Sequence, residues 1–155
     1  MIIKSYIVEK NQEFFQKEFL LFYGQNIGLK EEIKKKIKSI YKNAEINICT
    51  QEEIINGEDK FYLNLMNISL FGLQKVFIIS QCNDKMLKII NEIENKIDGQ
   101  RIFLFSDQLE KKSKLRSYFE NHKNFGIVAC YEDNEITLKN IITSKLNNYS
   151  GLNSH

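Results

Sequence analysis

Two stretches of this sequence hold residue types from which a binding or catalytic site could be built. The first is Gly24-Gln25-Asn26-Ile27-Gly28-Leu29-Lys30-Glu31, directly after the apolar run Phe19-Leu20-Leu21-Phe22-Tyr23. A strand, a glycine turn and a helix are the parts of a phosphate loop, in which backbone N–H groups and a lysine hold a nucleotide's phosphates while a hydroxyl binds magnesium. That chemistry needs G-x-x-x-x-G-K-[ST]. Here the glycines are one residue too close, Leu29 separates Gly28 from Lys30, and Glu31 follows Lys30 where a neutral hydroxyl is required. Gly24, Gly28 and Lys30 therefore read as a degenerate phosphate-loop position. A tight strand-to-helix turn, with glycine supplying a positive φ, fits the residues better, and no cofactor or metal is expected.

Other strand ends offer little to such chemistry. Val76 to Ile79 runs into Ser80-Gln81-Cys82, with no carboxylate to hold a metal. Asp107 stands alone after Ser106 and is expected to cap the turn leading to Leu109 and Glu110. A phosphoryl-accepting receiver domain would need an acidic cluster at the strand ends, yet the first strand closes on Tyr23 and Gly24. Neither His122 nor His155 shares a recognised motif with a cysteine, so both are expected to be solvated or capping residues.

The second stretch is Met66-Asn67-Ile68-Ser69-Leu70-Phe71-Gly72. Phe61, Leu65 and Ile68 already supply the inward stripe of the helix before it, so Leu70 and Phe71 need not both enter the core. Exposed, each could contribute about 1.5–3 kcal/mol in a partner's pocket. Periodicity alone leaves open that the pair folds back and seals the bottom of the sheet.

The elements that would position these residues alternate. Strands are expected at Phe19–Tyr23, Ile46–Cys49, Val76–Ile79, Ile102–Phe105 and Gly126–Ala129. Helices are expected at Leu29–Tyr41, Glu58–Asn67, Asp84–Ile97, Lys114–His122 and Ile136–Tyr149, from apolar residues at helical spacing. In the first of them, Glu31 and Glu32 are expected in the opening turn, each paired four residues on with Lys35 or Lys36. In the third, Leu87, Ile90, Ile93 and Ile97 form the inward stripe and Gly99 ends the element. Ile3–Val8 could add an edge strand. This order implies right-handed crossovers and a three-layer α/β fold around a mostly parallel, five-stranded sheet.

Bulk properties agree with one globular domain. The chain has 155 residues, 43% of them apolar and 27% charged, a size and balance at which a single core forms. Its 22 basic and 20 acidic residues leave a net charge of +2, and only Arg101 and Arg116 are arginines, which argues against a broad or sequence-specific grip on DNA. Cys49, Cys82 and Cys130 are odd in number and form no C-x-x-C pair, so reduced thiols in a cytoplasmic protein are expected. No stretch reads as a signal peptide or membrane span.

Taken in order, Phe19-Leu20-Leu21-Phe22-Tyr23-Gly24-Gln25-Asn26 with Leu29, then Ile68-Ser69-Leu70-Phe71-Gly72, then Leu109-Glu110-Lys111-Lys112-Ser113-Lys114-Leu115-Arg116 resemble the delta-subunit family of the bacterial DNA polymerase III clamp loader. Cys130-Tyr131-Glu132-Asp133-Asn134-Glu135-Ile136-Thr137-Leu138 resembles the family's later part, so the likeness spans nearly the whole chain. The resemblance implies a RecA-like, AAA+-type first domain without a working phosphate loop, ATP hydrolysis being left to other subunits. It implies that Leu70 and Phe71 enter the peptide-binding pocket of the β sliding clamp and help open the ring for loading on primed DNA. Met66, Asn67, Ile68 and Ser69 would be flanking contacts; some members have Gln where this chain has Met66.

Further partners implied by the resemblance are the gamma/tau and delta prime subunits, met through the full-length protein, with DNA met only indirectly and no membrane. Residues 1–149 would be the delta-type N-terminal domain and 150–155 a tail at the start of a lid domain, followed in the family by a collar. The chain is accordingly expected to be a fragment or a truncated gene product.

Overall fold

The computed structural model describes residues 2–4 and 12–131. The expected helix at Ile136–Tyr149 and the tail lie outside the described residues.

The five expected strands are present and all parallel, joined by a short sixth. They are β1 (Ile2–Lys4), β2 (Phe19–Tyr23), β3 (Glu45–Thr50), β4 (Lys75–Ser80), β5 (Arg101–Phe105) and β6 (Gly126–Ala129). Their order across the sheet is β1-β6-β2-β5-β4-β3. The helices are α1 (Ile27–Ile40), α2 (Gln51–Asn56), α3 (Glu58–Met66), α4 (Met86–Ile93) and α5 (Lys114–Asn121), with a 3-10 turn at Gln12–Gln16.

The central strands read as unbroken apolar runs because both faces are covered. On β2, Leu20 and Phe22 face α1 and the 3-10 turn, joining Phe15, Leu29, Ile33 and Ile37. Phe19, Leu21 and Tyr23 face the opposite way, among Phe61, Leu65, Ile90 and Phe119. Period-two alternation thus divides one strand between two cores, the condition for a three-layer arrangement.

Several local expectations need correction. Asn26 caps α1 by accepting from the Leu29 N–H at 3.0 Å, so the helix starts at Ile27 and its first turn holds no acid. Glu31 pairs with Lys34, three residues on, at 3.2 Å. α4 starts at Met86 rather than Asp84 and buries Met86, Ile89, Ile90 and Ile93, with Leu87 only half-buried. Its expected first turn is used elsewhere: Asn83 bonds Gln51, while Asp84 accepts from the Ser113 hydroxyl at 2.6 Å and the Leu115 N–H at 3.0 Å. Sequence patterning missed α2, a short helix capped by Thr50, and the 3-10 turn that buries Phe14 and Phe15. Both are too short for a periodic signal.

Asp84 is therefore an anchor for the start of α5, and these hydrogen bonds hold its pKa below the usual 3.8. A carboxyl group depressed in the folded state stabilises above its unfolded pKa and loses that effect as pH falls through the folded value. Asp84→Asn keeps an acceptor oxygen and removes the charge, so it is expected to cost about 0.5 kcal/mol near neutrality, the difference between a charged and a neutral acceptor reduced for exposure. Urea titrations of both proteins should converge below the usual carboxylate range; a gap that persists at the lowest pH would mean packing, not charge, is responsible.

Candidate functional site

The turn after β2 sits where open α/β sheets bind ligands, at the carboxyl ends of the strands beside a change in strand order. Four of its backbone N–H groups are already engaged. The Gly24 N–H donates to the Asp107 carbonyl at 3.1 Å and the Asn26 N–H to the Cys130 carbonyl at 3.0 Å. The Leu29 N–H donates to the Asn26 side chain, and the Lys30 N–H to the Asn26 carbonyl at 3.1 Å. Carbonyl oxygens from the ends of β5 and β6 thus occupy two of the turn's N–H donors, those of Gly24 and Asn26.

Lys30 completes this arrangement. Its buried ammonium donates to the Ser106 carbonyl at 3.0 Å and lies 3.5 Å from the Asp107 carboxylate. Desolvating a lysine demands such partners, and they aim it at β5 rather than at the turn. Asp107, expected as a turn cap, instead forms this ion pair. Gly24 has φ +127°, as expected of the turn, whereas Gly28 lies within α1. The next strand end is equally occupied, since Lys34 donates to the Ser80 hydroxyl at 3.1 Å.

The thiols and histidine do not assemble into a nucleophile and base. Burial pushes the Cys49 thiol up to about 11 and Cys130 up to about 12, and raises Cys82 as well; reactive cysteines are shifted the other way. His122 is half-buried rather than solvated. It stacks on Phe125, meets Glu94 at 2.9 Å through Nε2, and accepts from the Asn124 N–H at Nδ1. Among the described residues, no group of acidic, cysteine and histidine side chains could hold a metal, and no helix is long and apolar enough to cross a membrane.

Neither arginine is displayed for a phosphate backbone. Arg116 is buried against the Tyr23 ring, bonding Glu120 and the Leu109 carbonyl. Arg101 bonds the Gly99 and Gln100 carbonyls.

The second stretch is different in kind. α3 ends at Met66, and Asn67 turns extended (φ −75°, ψ 143°) while its N–H closes the last helical bond to the Leu63 carbonyl. Helical spacing stops applying there, so Ile68 does not continue the stripe of Phe61 and Leu65 but stands 88% exposed. Ser69 is buried; its carbonyl accepts from the Gly72 N–H at 2.9 Å and its hydroxyl from the Phe71 N–H at 3.4 Å. Gly72, at φ +68°, completes a tight turn, a conformation glycine adopts without strain.

The bonds across this turn hold Leu70 and Phe71 outward, 96% and 83% exposed. Half-exposed Met66 extends the apolar surface. A cleft of about 520 Å³ lies beside the turn, bordered by Ser69, Leu73 and the Lys96 to Gln100 loop. This tip lies at the amino ends of the strands, opposite the Gly24 turn. This exposure excludes the alternative in which the pair folds back and seals the sheet.

No protein-family model matches the chain. It is similar to a protein named "Probable DNA polymerase III subunit delta" from Rickettsia prowazekii (strain Madrid E), at 26% identity over 134 residues. The similarity covers 82% of this chain but 39% of that relative, so the chain spans about two fifths of the length of the protein it matches.

Proposed function

We propose that this chain is a clamp-loader domain of the delta type, non-catalytic in itself, that binds and helps open the β sliding clamp by inserting Leu70 and Phe71 into the clamp's peptide-binding pocket. The observation carrying the reading is the exposure of this pair on a hydrogen-bonded turn. Contiguous apolar surface on a folded domain marks a contact site more often than an accident. A turn already shaped loses little conformational freedom on binding, which favours affinity. Similarity to a protein named as a DNA polymerase III delta subunit supports a clamp-loader role. Ile68 and Met66 flank the pair, and Ser69 and Asn67 shape its base.

The filled turn at Gly24 supports a non-catalytic role, with ATP hydrolysis supplied by gamma/tau subunits that the whole protein would meet together with delta prime. In this reading DNA is handled through the assembly, in the cytoplasm. Titrating β clamp into the labelled chain should give saturable binding at one site per clamp pocket. Lack of binding at concentrations where a clamp-binding peptide saturates would remove the proposal. Calorimetry with magnesium-ATP is expected to register no binding; micromolar affinity would instead favour a phosphoryl-transfer role for the Gly24 turn.

A further inference from the structure

The carboxyl end of α3 is held by side chains from β3, β4 and the loop before β5. Because Asn67 is extended, the carbonyls of Asn64 and Leu65 lose the helical N–H groups four residues on. The Lys75 ammonium takes the first place, donating to the Asn64 carbonyl and, at 3.0 Å, to the Asn64 side-chain oxygen. The Gln100 side-chain amide takes the second, donating to the Leu65 carbonyl at 2.8 Å. From β3, the Asn47 side-chain oxygen accepts from the Asn64 amide at 3.2 Å.

Both donors are themselves fixed. Lys75 opens β4, is only 8% exposed, and has the Glu45 carboxylate 3.6 Å from its ammonium. A lysine costs too much to bury without such partners, and its charge complements the carboxyl end of a helix dipole. The Gln100 side-chain oxygen accepts from the Asp98 N–H at 2.6 Å, which leaves its amide to face α3. Gln74 donates to the Gly99 carbonyl at 2.6 Å, tying the same loop to the start of β4. Only Met66, Asn67 and Ile68 lie between the bracketed carbonyls and Ser69. The turn's own bonds, from the Phe71 and Gly72 N–H groups to Ser69, fix its shape but not its angle to the sheet. That angle is set by how α3 ends.

We propose that Lys75 and Gln100 are positioning residues for the Leu70–Phe71 contact: they act through the end of α3, presenting the pair outward before a partner arrives. This rests on the reading of that pair as the clamp contact. A molecule whose turn is out of place binds less well, so loosening the bracket lowers apparent affinity by the fraction displaced.

Two substitutions test it in the full chain. Lys75→Met keeps a stem of similar length and removes the ammonium, while Gln100→Glu keeps the acceptor for Asp98 and sets a carboxylate oxygen against the Leu65 carbonyl. Each is expected to speed chymotrypsin cleavage after Leu70 and Phe71 by about tenfold, with cleavage after Phe77 in β4 and Phe103 in β5 as slow as in the wild type. The double variant should bind β clamp about tenfold more weakly. Unchanged cleavage at the turn overturns the proposal. So does equal acceleration within the strands, which would mean that the two residues support the sheet as a whole. Unchanged clamp affinity in a variant whose turn is cut faster also overturns it. A wild-type chain that fails to bind the clamp is a different failure: it removes the partner assigned to Leu70 and Phe71, and cleavage still reads the hold on α3.

Discussion

A Leu70→Ala, Phe71→Ala double variant is expected to lose at least about 100-fold of its affinity for the β clamp while melting with the wild type. Each side chain stands almost wholly in solvent, so burial in a partner's pocket is worth about 1.5–3 kcal/mol apiece. Together that exceeds 100-fold, even allowing for non-additivity between neighbours. Folding should be indifferent, because truncating an exposed side chain leaves no cavity. Leu63→Ala is the control: Leu63 is also exposed, but on the flank of α3, so its loss should leave affinity unchanged. Equal weakening by that control would mean general stickiness, and unchanged affinity of the double variant would remove the contact.

The largest stability effect should come from Gly24→Ala, at about 3 kcal/mol or more. A β-carbon there would lie 2.0 Å from the Cys130 carbonyl oxygen, and the residue would be held at φ +127°. Both are backbone constraints, so no rotamer change relieves them. The chain at Cys130 is fixed by its N–H donating to the Tyr23 carbonyl at 2.6 Å and by its carbonyl accepting from Asn26. Gly28→Ala is the contrast, since its β-carbon would meet only the Asn26 side-chain oxygen at 3.7 Å. Within a helix that change should be neutral or stabilising by up to about 1 kcal/mol. Urea unfolding of the two variants decides the matter: similar midpoints would mean that β2 and β6 are not held together as described.

Most of the sheet was legible because its signal is local. Five short stretches rich in apolar residues correspond to β2 through β6, and the alternation along Phe19 to Tyr23 already contains the division between two cores. The failure of the phosphate-loop pattern at Gly28-Leu29-Lys30 is likewise a fact of spacing alone. The helices were less legible at their ends. α4 lost its expected first turn because Asn83 and Asp84 bond to α2 and α5, which no spacing within the helix encodes.

The sequence by itself determined the α/β alternation, the broken phosphate loop and the presence of two bulky apolar residues beside Gly72. Tertiary structure alone decided where those residues point. Ile68 falls inward by its helical phase, yet it stands outward because Asn67 leaves the helix one residue earlier. Lys30 found its partners at Ser106 and Asp107, more than seventy residues away, and β3 came to lie at one end of the order of the described strands only through the way the strands assembled. Periodicity reports which face of a regular element is apolar; it carries nothing across the point where the element ends, nor about groups brought together from distant parts of the chain.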